Sequence, residues 1–292
     1  MAYQNARNNK RRSNRRNRNG QSDSSNQQKS KPNREERAKQ AETHTKRMSA
    51  IFASDIRKSV AGTKRYTADM LCDLKHEPNP DMHVGTIALG TAQAASKLAQ
   101  YGGKTALLDF ASFKNPGGGY LNGSFAQEEA ICSESNLYNI LSQMTDWYDE
   151  NRSMRADDES RNALYSDRGL YVPDVALTVN SRIVKCDVIV VAAPNWGAAS
   201  KAGCDKAAND KALSSRIDLV LDMAEDNGVK SIVLGAFGCG VFGQDPRQVA
   251  RMFKDKLANR SFANVVFAVL PGRGGDVRNV KAFLDEFGEI RI

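Results

Sequence analysis

The chain has 292 residues, of which 42 are Lys or Arg and 34 Asp or Glu, for a net charge of +8. Residues 1–48 hold fourteen Lys/Arg against four Asp/Glu, a net of +10, so residues 49–292 sum to −2 and the basic character belongs to the N-terminal tail rather than to the fold. The length allows one large domain or two small ones, and no apolar run is long enough to cross a bilayer.

Residues 1–42 begin MAYQNARNNKRRSNRRNRNG and offer almost nothing apolar to bury, which predicts a disordered basic tail. They lack the apolar segment of a secretory signal and the amphipathic face of a transit peptide. KRRSNRRNR suits contact with nucleic acid or another polyanion, or a nuclear address, and equally suits a solubilising tail. Order is expected from residue 43, where Met48, Ile51, Phe52 and Ile56 recur at helical spacing and predict a helix over 43–59. Residues 62–82 are turn-rich and read as irregular. HVGTIAL predicts a strand, TAQAASKLAQYG a helix ending at Gly102-Gly103, and KTALLDFA a strand buried on both faces. QEEAICSESNLYNILSQM reads as one helix, and the charged residues 146–170 as a surface excursion. YVPDVALTV is a strand whose proline favours an edge, and CDVIVVAAP a central strand. Residues 205–227 form a long helix stopped by Asn227-Gly228, VKSIVLGAF a strand, and DPRQVARMFKDKLANR a helix capped by Asp245 with Pro246 in its first turn. FANVVFAVL is the last strand and VKAFLDEFG the closing helix. This alternation predicts one α/β domain over residues 43–292, with a largely parallel or mixed sheet between helical layers.

The five cysteines, Cys72, Cys132, Cys186, Cys204 and Cys239, are odd in number and widely spaced. That suggests neither a disulfide framework nor a zinc site, but reduced thiols in a cytosol-like compartment, with the nucleus as an alternative in a cell that has one. Three histidines in no metal-binding spacing give no support to a catalytic metal, and no serine sits in a G-x-S-x-G elbow.

Two glycine-rich stretches fall after strands, where ligands of α/β folds sit. In GAFGCGVFGQDP, residues 235–246, Gly235, Gly238, Gly240 and Gly243 allow close backbone approach, and successive N–H groups make an anion nest suited to a diphosphate. The following helix would add its positive end. The stretch lacks the Lys-Ser/Thr of an ATP-hydrolysing loop and the spacing of a dinucleotide fingerprint; a plain tight turn would explain it too. In NPGGGYLNGSFAQEE, residues 115–129, Gly117, Gly118 and Gly119 let the main chain approach a ligand, and Asn115 can bond sugar hydroxyls. Glu128 and Glu129 open a helix, where acidic residues are favoured by the dipole; such a capping cluster has no need of a triple glycine. A carboxyl desolvated beside a bound sugar phosphate gains acid/base capacity near neutrality.

GGG, seven residues, then QEE resembles the signature of poly(ADP-ribose) glycohydrolases. LLDFASFKNPGGGYLNGSFAQEEAI and VLGAFGCGVFGQDP are similar to the microbial type of that family, over roughly residues 45–285. The resemblance implies a macrodomain-like three-layer α/β sandwich that binds ADP-ribose and cleaves ribose–ribose O-glycosidic bonds without a cofactor or metal. It implies that Glu129 is the general acid/base and that Glu128 bonds the ribose hydroxyls. Asn115, Gly117, Gly118 and Gly119 would line the distal ribose. Gly238, Cys239, Gly240, Val241 and Phe242 would wrap the diphosphate, with Phe242 against that ribose and the Cys239 N–H, not its thiol, in use. Gln127 belongs to the binding set, either toward substrate or toward a neighbouring loop. Asp109 stands where family members can carry a functional acid, and a structural strand-end aspartate is the alternative. The implied partners are poly(ADP-ribose) or ADP-ribosylated macromolecules. The alternatives are a hydrolase of single ADP-ribose units and a module that binds ADP-ribose without cleaving it. Removal of residues 1–42 is expected to spare catalysis.

Overall fold

The computed structural model describes residues 32–292 except Cys72, Asp73 and Lys75; the expected disorder of residues 1–31 lies outside them. Seven strands form one mixed sheet: β1 (Lys64–Thr67), β2 (His83–Ile87), β3 (Thr105–Phe110), β4 (Arg168–Val179), β5 (Arg182–Val191), β6 (Ser231–Leu234) and β7 (Asn264–Ala268), in the order β1-β4-β5-β3-β6-β7-β2. β1 and β5 flank β4 antiparallel, and every other pairing is parallel. Along the central strands, alternate residues serve opposite cores. Leu107, Val188 and Val190 face one side, and Ala106, Leu108, Ile189 and Val191 the other. With both faces covered, these strands read as unbroken apolar runs. Helices α1 (Arg34–Ile51), α2 (Ala53–Gly62), α3 (Thr91–Leu98) and α4 (Gln127–Ser133) pack on the first side. Helices Lys206–Asp226, Pro246–Leu257 and Arg278–Phe287 pack on the second. The three-layer α/β sandwich is as expected.

Several elements differ from the sequence reading. The helix expected over 43–59 is two helices. α1 starts at Arg34, inside the segment assigned to the tail, because Asn33 and Glu36 form a capping box: the Asn33 side chain accepts from the Glu36 N–H at 3.0 Å and the Glu36 carboxylate accepts from the Asn33 N–H at 2.8 Å. The break at Phe52 turns Ile51 outward, 60% exposed, while Met48, Phe52 and Ile56 stay buried. The stretch read as irregular holds β1, whose single buried residue, Tyr66, gave no alternation to detect. The helix expected from QEE to Met144 breaks after Ser133, where Ser135 bridges to Leu177 of β4 and a second short helix, Leu137–Leu141, follows. The excursion expected over residues 146–170 begins inside the helix Thr145–Ser153. β4 is not an edge strand; Pro173 is tolerated because a bulge between Val172 and Val175 spares it a ladder bond. The four described cysteines, Cys132, Cys186, Cys204 and Cys239, are free thiols. No helix among the described residues is long and apolar enough to span a membrane.

β5, β3 and β6 are parallel neighbours. The segments after their carboxyl ends, residues 192–197, 111–126 and 235–245, therefore emerge side by side at one edge of the sheet.

Candidate active site

Asp109 sits near the end of β3, two residues after Leu107 and so on the same face. It is fully buried, and neither carboxylate oxygen has a hydrogen-bond partner among the described residues. Above it stands the first turn of α4. Gln127 fastens that turn to β3: its Oε1 accepts from the Phe110 N–H at 2.8 Å, and its Nε2 donates to the Leu108 carbonyl at 2.7 Å and to Thr91 Oγ1 at 3.2 Å. Of the two roles open to it, toward substrate or toward a neighbouring segment, Gln127 takes the second here: both amide atoms bond β3 and Thr91 and anchor the helix.

Glu128 and Glu129 are only 4% and 8% exposed, so neither points to bulk solvent. Glu128 Oε2 accepts from the Ser112 N–H at 2.7 Å, and its Oε1 is unpartnered. Glu129 Oε1 accepts from the Gly119 N–H at 2.9 Å and Oε2 from the Ala126 N–H at 2.8 Å. The second contact is the carboxylate half of a capping box. The capping reading and the site reading thus hold together: the cap fixes the orientation of the carboxyl.

The triple glycine has a steric reason. A Cβ on Gly118 would lie 2.7 Å from both Glu128 Oε2 and Glu129 Oε1, and its φ of +59° already excludes most side chains. A Cβ on Gly117 would meet the Tyr138 ring at 2.7 Å, and one on Gly119 would overlap the Ser124 hydroxyl. The glycines are the bed on which the carboxylates lie.

Burial pushes the Asp109 carboxyl well above the usual carboxylate range, and the Glu129 charge pushes it further. Burial and then the Asp109 charge raise Glu128 in the same way; the N–H groups of Ser112 and Gly117 oppose the rise. Three carboxyls share this pocket, and repulsion between them favours keeping a proton inside it. Cys132 lies beneath, its thiol raised by burial and by the same carboxylates, which makes it an inert neighbour rather than a nucleophile.

Across the sheet edge lies the second glycine stretch. Among the described residues, the N–H groups of Gly238, Gly240, Val241 and Phe242 have no protein acceptor, whereas the Cys239 N–H donates to the Ala236 carbonyl at 3.1 Å. The nest is therefore open at four amides, while the Cys239 N–H is engaged within its own turn. Gly238 has φ +74°, and a Cβ there would meet Gln244 at 2.9 Å and Ala193 at 3.0 Å. The helix that follows is closed by Asp245, whose carboxylate accepts from the Arg247 N–H at 2.9 Å. This cap takes up the Arg247 N–H of its first turn. Asn115 is exposed, at the rim of the first loop.

An aromatic chain joins the two loops. Tyr165 stacks on Phe113 at 4.6 Å between ring centroids and tilts toward Phe242 at 6.2 Å. Tyr165 holds a positive φ of 60°. It sits in the excursion between residues 146 and 170, and no sequence signal pointed to it. The Phe242 carbonyl accepts from the Gly197 N–H at 2.9 Å, which binds the second loop to the segment after β5.

Away from this edge, His76, Asp222 and Glu225 bring ligand atoms within 4.8 Å of one another. Arg260 already occupies that cluster, its Nη1 bonding Asp222, Glu225 at 3.0 Å and His76 at 3.1 Å. A guanidinium stands where a cation would have to sit.

The model of the microbial-type PARG catalytic domain matches residues 26–179, and that of the Macro domain matches residues 156–253. Among curated proteins none matches the chain. Poly(ADP-ribose) glycohydrolase from Thermomonospora curvata, bound to the inhibitor ADP-HPD, is 30% identical, covering 87% of this chain and 100% of that one, with a TM-score of 0.75. The enzyme from Deinococcus radiodurans in complex with ADP-ribose is 30% identical, covering 79% of this chain and 96% of that one, with a TM-score of 0.69.

Proposed function

The chain belongs to the microbial-type poly(ADP-ribose) glycohydrolases, and from that premise we propose that it hydrolyses the ribose–ribose O-glycosidic bond of poly(ADP-ribose), releasing ADP-ribose, with Glu129 as the single general acid/base. The observation that carries this reading is the pair of buried glutamates laid on Gly118. A protein that only bound ADP-ribose would have no use for carboxyls kept dry at such cost.

The diphosphate of the terminal unit lies on the free amides of Gly238, Gly240, Val241 and Phe242, with the Phe242 ring against the distal ribose. Asn115 and Glu128 take that ribose's hydroxyls. Glu128 is well placed for this because one of its oxygens is held by Ser112 while the other has no protein partner. The scissile bond then lies at Glu129. Its carboxyl gives a proton to the departing oxygen as the bond from that oxygen to the anomeric carbon breaks. The sugar becomes oxocarbenium-like, and the neighbouring diphosphate favours the developing positive charge. Water adds to the anomeric carbon and returns a proton to the Glu129 carboxylate, which restores the acid. Glycosidases with two catalytic carboxyls set them on opposite sides of the sugar. Here both side chains come from one helical turn and converge on one glycine, so they address the ribose from a single side and one residue serves both steps. The N–H groups of Gly119 and Ala126 hold that residue still between them.

The substrate partners are poly(ADP-ribose) or macromolecules carrying it. The basic run at residues 10–18 is assigned to polyanion contact, and the free thiols fit a reducing, cytosol-like compartment. The test is incubation of the purified protein with labelled polymer. ADP-ribose accumulates as the product. Intact polymer, or release only of single units attached directly to protein, would overturn the reading.

A further inference from the structure

A cavity of about 520 Å³ has Glu129 in its wall. Its walls include Glu129, Tyr120, Ser124 and Phe125 from the catalytic loop and α4, and Arg37, His44 and Arg47 from α1. We propose that this groove is the leaving-side subsite, which holds the next ADP-ribose unit of the polymer, the one whose ribose oxygen departs from Glu129. The inference rests on the proposed glycohydrolase reading and extends it to the other half of the substrate.

The chemistry fixes which side is which. A general acid stands at the oxygen between two units. The unit that is cleaved off reaches from Glu129 toward the amides of residues 238–242, so the unit left behind must run the opposite way. The groove shares Glu129 with the site, yet none of residues 238–242 lines it. Its volume lies in the range of nucleotide-sized pockets.

The walls suit a nucleoside diphosphate. Arg37 is fixed in place: its Nε donates to the Gly123 carbonyl at 2.8 Å and its Nη1 to the Pro32 carbonyl at 2.6 Å. A charge held on a preset fork loses little freedom on meeting a phosphate. Arg47 is exposed and makes no ion pair among the described residues. Lys39 also lines the groove but is shared with Glu35 at 2.8 Å. His44 adds no charge at neutral pH, because burial and the Arg47 guanidinium hold its imidazole down at about 4. Glu129 is the one acidic side chain in the wall. Phe125, 63% exposed at the mouth, offers a bare aromatic face to a base.

The test compares two substrates with the full chain and with Arg47→Glu and Phe125→Ala, both at exposed positions. One substrate is poly(ADP-ribose). The other is a p-nitrophenyl glycoside of ADP-ribose, whose leaving group is too small to enter the groove. The ratio of kcat/KM on polymer to kcat/KM on the aryl glycoside falls about tenfold in each variant, and the salt dependence on polymer is shallower for Arg47→Glu by about one phosphate contact. An unchanged ratio overturns the subsite. Failure of the unaltered protein to cleave either substrate would instead overturn the glycohydrolase reading on which it rests. Unfolding midpoints and the Kd for ADP-ribose, which fills only the other side, exclude a general loss of structure.

Discussion

Gly118→Ala separates backbone strain from damage to the carboxylate pair. The φ of +59° makes any L side chain cost about 1–2 kcal/mol. The added Cβ would stand 2.7 Å from one oxygen of each glutamate, about 0.7 Å inside ordinary contact. Neither carboxylate can slide away freely, since the N–H groups of Ser112, Gly119 and Ala126 hold them at 2.7–2.9 Å. Relieving the overlap adds about 1–3 kcal/mol, for a total of about 2–5 kcal/mol in denaturant unfolding. A displacement of this size at the reacting group lowers polymer turnover by about 10²-fold. Gly203→Ala is the control, because Gly203 also has positive φ, at +86°, but nothing lies within 4 Å of its Cβ position. It takes the strain term alone and leaves turnover within about twofold of the unaltered protein. If Gly118→Ala and Gly203→Ala lose the same stability and both keep full activity, the glycine bed is not what positions the glutamates.

Other expectations follow from the N-terminal helix and the buried aspartate. Removing residues 1–31 leaves turnover on free polymer within about twofold, whereas removing residues 1–42 takes away the bonds from Arg34 Nε to the Asn122 carbonyl and from Arg37 Nε to the Gly123 carbonyl. It costs about 3–6 kcal/mol at roughly the strength of two charge-assisted bonds and most of the activity; equal activity of the two truncations would contradict this. This replaces the sequence-based expectation that residues 1–42 are dispensable. Asp109 is raised by burial and by Glu129, so the folded chain keeps a proton that the unfolded chain releases near pH 4, and stability falls as pH rises from there toward the folded-state pKa. Asp109→Asn removes that dependence: its unfolding midpoint exceeds that of the unaltered protein by a margin that grows from pH 4 to pH 8, and parallel curves would show that no such proton is held.

The fold was readable wherever burial leaves a period. β3 and β5 are apolar runs because both faces are covered, and the helix Pro246–Leu257 announces itself through Asp245 and Pro246. β1 was missed because one buried tyrosine in four residues makes no pattern. The start of α1 was written in Asn33 and Glu36, a cap signal hidden among charges that read as tail. The glutamates were visible through their spacing from the glycines, but the partition of labour around them was not. That Gln127 anchors α4 while Glu128 keeps a free oxygen depends on where β3 ends relative to that helix. Tyr165 meets Phe113 and Phe242 only after 52 and 77 residues of chain have folded, and no local pattern encodes such a meeting.

The most direct measurement pairs turnover with binding in Glu129→Gln. The amide keeps the size of the side chain and loses about one hydrogen bond, near 1 kcal/mol, because its Nε2 must face one of the two N–H donors. The variant folds, binds ADP-ribose within about threefold of the unaltered Kd by calorimetry, and releases ADP-ribose from labelled polymer about 10²–10⁴-fold more slowly. Release at an unchanged rate from a folded, ADP-ribose-binding variant would contradict the assignment of Glu129 as the group that gives and takes the proton.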